Sequence, residues 1–222
     1  MAIVRHGHVV TQGWWAPYQP EHRQLLYSVS KTFLALAVAL AEDEGLLWRS
    51  ERLVDIFPEA AASAGPRASK ITVEHCLRMS TGHHEDTLDS VTGLLGSADG
   101  AAALFLAAEP QHEPGSWFVY HNGASLMLAL AVQRRTGQRL LRYLRPRLLE
   151  PLGIPSASWR DTAGRDLGFN GLHTTTDAVA RLGVLLLDDG MWQGSRLLPS
   201  GWVGTASSAL SDTGHHPGTP DW

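Results

Sequence analysis

Ser28 and Lys31 stand three residues apart at the head of an apolar segment, a spacing that puts a hydroxyl and an amine on one face of a helix. A serine hydroxyl attacks a carbonyl only when a base takes its proton, and a lysine desolvated by apolar walls can be that base. Backbone N–H groups at a helix N-terminus are unpaired and carry partial positive charge, so the Ser28 amide is placed to stabilise an oxyanion. A plainer reading has Ser28 capping the helix and Lys31 extending to solvent. Ser-x-x-Lys occurs once in the chain, and of the 18 cationic side chains only Lys31 and Lys70 are lysine. Arginine stays protonated in proteins whereas lysine can lose its proton, so a lysine inside an apolar segment of an arginine-rich chain suggests proton chemistry.

A second group of polar side chains lies between Pro114 and Gly123, where a turn and a short extended run lead into a helix. Tyr120 can act as general base or proton relay if Lys31 stabilises its phenolate, and Asn122 can orient the lysine or bind a substrate carbonyl. The plainer alternative makes Tyr120 a half-buried core aromatic and Asn122 the N-cap of a helix over residues 124–136, with His121 a bystander. His83-His84-Glu85-Asp86 has four side chains able to bind a metal, but adjacent residues point apart and zinc ligands normally come at wider spacing. A polar loop is expected there, and the same holds for His215-His216. Trp14, Trp15 and Trp117 can line an acyl pocket, but with eight tryptophans in the chain ordinary packing is the better reading. Cys76, the single cysteine, excludes internal disulfides and reads as a core thiol.

The elements that must position these groups follow from pattern. Residues 2–12 alternate apolar and polar around His6-Gly7, a β-hairpin expected to begin a sheet. Within residues 25–44, Ser28 precedes a nearly all-apolar helix, hence buried on all sides, that stops at Gly45. Further helices are expected from Val73 to Met79 with Thr72 as cap, from Ala101 to Ala108 after Gly100, from Ala124 to Thr136, from Leu140 to Leu149, and from Asp177 to Asp189 with Thr176 as cap. A short one begins after Ser200. No clear strand is legible in the C-terminal part.

Bulk properties fit a globular chain of 222 residues, 44% hydrophobic, able to bury a substantial core. A formal charge of −4 without runs of like sign gives no footprint for nucleic acid or an anionic membrane. The longest apolar stretch, Phe33 to Ala41, is nine residues, far short of the roughly 20 that span a bilayer. No charged leader with an apolar block opens the chain, so a cytoplasmic location is expected for it as given, with export of a longer parent left open.

Together these segments resemble the serine hydrolases that include class C beta-lactamases, their DD-peptidase relatives and the beta-lactamase-like esterases. The match runs in order through Tyr27-Ser28-Val29-Ser30-Lys31-Thr32-Phe33, Leu77-Arg78-Met79-Ser80-Thr81-Gly82, Pro114-Gly115 through Tyr120-His121-Asn122, Pro151-Leu152-Gly153-Ile154, and residues 176–183. It covers nearly the whole chain. A Tyr-x-Asn element stands where the penicillin-recognising enzymes carry Ser-Asp-Asn, which points to the class C and esterase side. The resemblance implies an α/β (α+β) fold of beta-lactamase/transpeptidase type: an antiparallel sheet flanked by helices, with an inserted helical region. Residues 1–48 and 165–222 would belong to the α/β region and 49–164 to the mostly helical one, with the active site between them. It also implies acyl transfer on a small ester, amide, beta-lactam or D-alanyl peptide. Ser28 would attack, Lys31 and Tyr120 would move its proton, Asn122 would position Lys31 or the substrate, and water would release the acyl group. No metal or organic cofactor is implied, and oligomeric state is not indicated.

The family's third element, a Lys-Thr-Gly or His-x-Gly segment on an edge strand, supplies a second oxyanion amide. His216-Pro217-Gly218 has the letters, but proline donates nothing to a sheet ladder and its flanks read as loop. The expectation is therefore that the strand, with others completing the sheet, lies beyond Trp222. Loss of one oxyanion donor typically costs on the order of 10² to 10³ in rate. A rival function is thus a truncated, non-catalytic homologue serving as a binding or dimerising module, and acylation of Ser28 separates the two.

Overall fold

The computed structural model describes residues 1–89 and 97–209. Strands β1 (Ala2–Arg5) and β2 (His8–Gln12) open it, and β3 (Gln24–Leu25) leads through a 3-10 turn at Tyr27–Val29 into helix α1 (Ser30–Asp43). Then come α2 (Leu53–Ile56), α3 (Val73–Leu77), α4 (Ala98–Ala107), α5 (Asn122–Thr136) and α6 (Leu140–Leu144). The short strands β4 (Ser158–Trp159), β5 (Asp161–Thr162), β6 (Arg165–Asp166) and β7 (Leu172–Thr174) precede α7 (Thr176–Leu187). Strands β8 (Met191–Trp192) and β9 (Ser195–Arg196) and helix α8 (Trp202–Ala206) follow. The fold is mixed α/β, with small antiparallel sheets among many helices.

The predicted hairpin forms, with left-handed φ at both His6 (50°) and Gly7 (76°), as a two-residue turn between twisted strands requires. It does not begin a larger sheet among the described residues: β1 and β2 pair only with each other, and β1 lies against α7. The sheet that bears on the site is instead β3–β7–β4, assembled from segments far apart in sequence. Its strands of two or three residues are too short to show an alternating pattern, so the expectation of no strand in the C-terminal part is corrected. A readable signal did exist, because Ala163-Gly164 and Gln193-Gly194 repeat the X-Gly turn of His6-Gly7 and close the pairs β5–β6 and β8–β9.

Helix α1 is buried on all sides, as its composition demands, and packs against α5 and α6 to form the core. Several boundaries differ from expectation for local reasons. Helix α4 starts at Ala98, because the Ser97 hydroxyl accepts the Gly100 amide, and Gly100 therefore lies inside the first turn. Thr175, not Thr176, caps α7 by accepting the Ala178 amide; in a run of three threonines the side chains alone do not say which is the cap. Thr72 caps α3 as expected, but the helix ends at Leu77 and Met79 turns to φ 50°. The helix expected over 140–149 breaks into α6 and a π turn at Arg145–Leu149, where Pro146 has no N–H to continue the ladder. The last short helix, begun by Gly201, and the buried thiol of Cys76 are as expected.

The segment from β5 to β7 is anchored at Asp166. This fully buried carboxylate accepts the Leu141 amide at 2.9 Å, at the start of α6, and the Arg139 guanidinium at 2.5 Å and 3.2 Å. Gln133 on α5 bonds both the N–H and the carbonyl of Asp166. An asparagine there cannot accept from all these donors with one oxygen. Asp166→Asn is expected to lower the urea-unfolding free energy by about 2 kcal/mol; an unchanged urea midpoint would remove Asp166 as the anchor.

Candidate active site

Ser28 lies on the 3-10 turn, ahead of α1, and neither helix is capped by its hydroxyl, since the N-cap positions are Leu26 and Val29. The turn is clamped to β7. Gln24 and Leu25 pair with Thr174 and His173, the Leu26 amide donates to the Leu172 carbonyl at 2.9 Å, and the Leu172 amide donates to the Ser30 hydroxyl at 3.2 Å. Ser30 is wholly buried, so the second serine of the tetrapeptide fixes the turn while the first faces outward. The residue before Ser28, Tyr27, holds a left-handed φ of 45°. The Ser28 amide lies in this first turn, ahead of α1, where backbone N–H groups generally lack an intrahelical partner.

Lys31 does not extend to solvent. Its ammonium donates to Ser28 Oγ at 3.2 Å, Asn122 Oδ1 at 2.8 Å and the Phe169 carbonyl at 2.9 Å. An ammonium has three N–H bonds, and three acceptors meet them. The same arrangement suits the neutral amine: two N–H bonds remain on Asn122 and Phe169, and the lone pair is directed at Ser28. The Phe169 carbonyl reaches this point because Gly168, at φ 75°, lies hard against α1 and α5. A Cβ there would come within 2.5 Å of Ala129 Cβ and 3.1 Å of Leu34, so only glycine lets the loop pack so closely.

Tyr120 is 45% exposed, not a core aromatic, and Lys31 Nζ sits 4.9 Å from its ring centroid. Burial opposes ionisation of its phenol, but hydrogen bonds with Ser28 and Lys31 and the Lys31 charge outweigh it. The phenol therefore titrates below its ordinary value, with the Asp86 charge acting the other way. Asn122 is the first residue of α5 and not its cap. The cap is His121, whose Nδ1 accepts the Ala124 amide at 2.9 Å, so the expectation of a bystander is corrected.

All four residues singled out in the sequence, Ser28, Lys31, Tyr120 and Asn122, thus converge. Sequence reasoning missed the Phe169 carbonyl, which has no signature in side-chain types, and it missed Asp86. Within the run His83–Asp86 the side chains separate: His83 turns into the core while Asp86 reaches the head of α5, where it accepts Asn122 Nδ2 at 2.8 Å and the Gly123 amide at 3.0 Å. Burial disfavours the Asp86 charge, but the hydrogen bonds from Gly123 and Asn122 act against it and the carboxyl is held well below the usual carboxylate range. His121 Nδ1, 3.2 Å from Asp86 Oδ1, cannot donate to it while accepting from Ala124, so the Asn122 and Gly123 N–H groups are the dependable donors. Among the described residues no group of three or more His, Cys, Asp or Glu is placed to hold a metal ion. Trp117 stacks on His112, with ring centroids 4.1 Å apart and planes 5° apart, while Trp15 is exposed. His215-His216 and His216-Pro217-Gly218 lie outside the described residues. No helix among the described residues is long and apolar enough to cross a membrane.

The sequence pattern of the Beta-lactamase family matches residues 1–211. The chain is similar to 6-aminohexanoate-dimer hydrolase of Paenarthrobacter ureafaciens, 26% identical over 238 residues, covering 99% of this chain and 60% of that protein. It is also similar to Protein flp of Staphylococcus aureus (strain COL), 26% identical over 145 residues, covering 64% of this chain and 29% of the relative. The chain thus spans no more than about 60% of the length of these curated relatives. Among solved structures, the octameric penicillin-binding protein homologue from Pyrococcus abyssi aligns with a TM-score of 0.75 at 18% identity, over 94% of this chain and 55% of that one. EstCE1, a hydrolase with promiscuous acyltransferase activity, aligns with a TM-score of 0.71 at 18% identity, over 91% and 69% respectively. The fold is therefore of the beta-lactamase and penicillin-binding-protein type.

Behind the site, His83 accounts for part of the acid sensitivity expected of the protein. It bonds Thr81 Oγ1 at 2.9 Å and the Ala108 carbonyl at 2.7 Å and packs edge-on against Phe105 and His121. Burial pushes its imidazole down from 6.5 to about 4. Between those values the unfolded chain binds a proton that the folded chain refuses. Stability is thus complete above about pH 6.5 and falls with decreasing pH, by up to about 3 kcal/mol. Urea midpoints measured across this window should drop in the natural chain and drop distinctly less in His83→Gln; equal drops would assign the effect to other groups.

Proposed function

Because the chain belongs to the beta-lactamase family, we propose that it is a serine hydrolase that cleaves esters or amides through an acyl-enzyme at Ser28. The observation that carries this is the placement of Lys31 Nζ 3.2 Å from Ser28 Oγ, with Asn122 and the Phe169 carbonyl taking its other two N–H bonds. In the first half-reaction Ser28 Oγ bonds to the substrate carbonyl carbon while its proton passes to neutral Lys31, directly or through Tyr120. The carbonyl oxygen becomes an oxyanion facing the Ser28 amide. Collapse breaks the bond to the leaving alcohol or amine, which takes the proton. Water then attacks the ester, giving its proton to the same base, which passes it to Ser28 Oγ as the acyl–oxygen bond breaks, releasing the acid and the free serine.

Similarity to a 6-aminohexanoate-dimer hydrolase over nearly the full chain favours a small amide, while the Tyr-x-Asn arrangement admits esters and beta-lactams equally. Tyr120, whose phenol is shifted downward by its contacts with Ser28 and Lys31, serves in this reading as the relay. Asn122 holds Lys31 and can take a substrate carbonyl on displacement.

Incubation of the purified chain with a fluorophosphonate, followed by mass spectrometry, is expected to give a single adduct that Ser28→Ala lacks. A folded chain that forms no adduct contradicts acylation and leaves the non-catalytic, binding or dimerising role.

A further inference from the structure

We propose that Asp86 is a positioning residue that fixes the orientation of the Asn122 amide, and through it the Lys31 amine; this rests on the Ser28–Lys31 reading above. An asparagine amide has two ends of nearly the same shape, one acceptor and one donor, and it flips unless its neighbours distinguish them. Here both neighbours do. Asn122 Oδ1 accepts from Lys31 Nζ at 2.8 Å, and Asn122 Nδ2 donates to Asp86 Oδ2 at 2.8 Å. The flipped amide would aim its NH₂ at the lysine N–H bonds and its oxygen at a carboxylate, losing two hydrogen bonds and setting like against like at both ends.

Asp86 is itself fixed from two elements. Its Oδ1 accepts the Gly123 amide at 3.0 Å, at the head of α5, and the Leu88 amide at 3.1 Å on its own loop. Three N–H groups thus converge on one side chain, and only an acceptor-only group satisfies them all. The close approach that allows this depends on Gly123: a Cβ there would meet Thr87 Oγ1 at 2.6 Å and the His121 ring at 3.0 Å. Asp86 bonds neither Ser28 nor Lys31 among the described contacts, so its effect reaches the reacting atoms through Asn122.

Substitution by asparagine leaves one oxygen for three donors. If that oxygen stays on the Gly123 and Leu88 amides, the new NH₂ faces Asn122 and turns it, pointing the wrong end at Lys31. The paired variant Asp86→Asn/Asn122→Asp restores every bond: the new amide donates to the new carboxylate, whose second oxygen accepts from Lys31. A carboxylate beside the amine favours the ammonium, so the reaction should recover with its pH profile displaced upward.

The test is the rate of fluorophosphonate labelling at Ser28 as a function of pH in the natural chain, Asp86→Asn and the paired variant, with circular dichroism on each. Asp86→Asn is expected to label at least about tenfold more slowly while folded, and the paired variant to regain most of the rate at higher pH. Natural-rate labelling by folded Asp86→Asn, or a folded paired variant no faster than the single one, overturns the proposal. If the natural chain does not label, the acylation reading fails on its own, and NMR decides the role of Asp86. Asn122 side-chain N–H signals shielded from exchange in the natural chain and exposed in Asp86→Asn support it; signals unchanged between the two overturn it.

Discussion

The site depends on how one amine is enclosed. Lys31 brings three N–H bonds to a half-buried position, and each meets an acceptor from a different part of the chain: Ser28 from the turn before α1, Asn122 from α5, and the Phe169 carbonyl from the loop before β7. A buried amine without partners is costly, whereas one with every donor paired is held in a single direction. Packing of α1 against α5 sets the first two acceptors, and the β3–β7 pairing with the Ser30–Leu172 bond sets the turn. Disturbing any of these segments moves the direction in which the nitrogen points.

Polar groups outside that ring have a matching logic. Asp166 secures the loop carrying Phe169 to α5 and α6, while Asp86 secures the loop of residues 83–88 to the head of α5. Both carboxylates accept backbone amides near the first turn of a helix, where unpaired N–H groups and the helix dipole favour negative charge. Side chains held by a helix and by a tightly packed loop lose little freedom when a substrate arrives, which is the condition for a preorganised site.

How much of this was legible in the sequence depends on the range of the interactions. The Ser28–Lys31 pairing was readable because its geometry is local to one helical turn, whereas the roles of Tyr120 and Asn122 were not visible from spacing and were legible only through the ordered resemblance to a known family. Long apolar helices such as α1 and α5 announced themselves, with errors of a few residues where competing caps, as at Thr175 and Thr176, looked alike. The β3–β7–β4 sheet was not readable, since strands of two or three residues leave no period and β3 pairs with a strand more than a hundred residues away. Phe169 contributes only a backbone carbonyl, which any residue has. Asp86 and His83 sat in a polar run that reads as a solvated loop, and only the close approach of that run to α4 and α5 gives each a buried partner.

The central claim is that the Lys31 amine must be able to take a proton from Ser28, and Lys31→Arg addresses it most directly. Arginine keeps a cation among the same acceptors but does not give up its proton. The account predicts that the folded Lys31→Arg chain is labelled at Ser28 by a fluorophosphonate at least about a hundredfold more slowly than the natural chain, in the range of a lost general base. Labelling within about threefold of the natural rate, where contributions of a general base are typically far larger, would mean that Lys31 only fills space beside the serine.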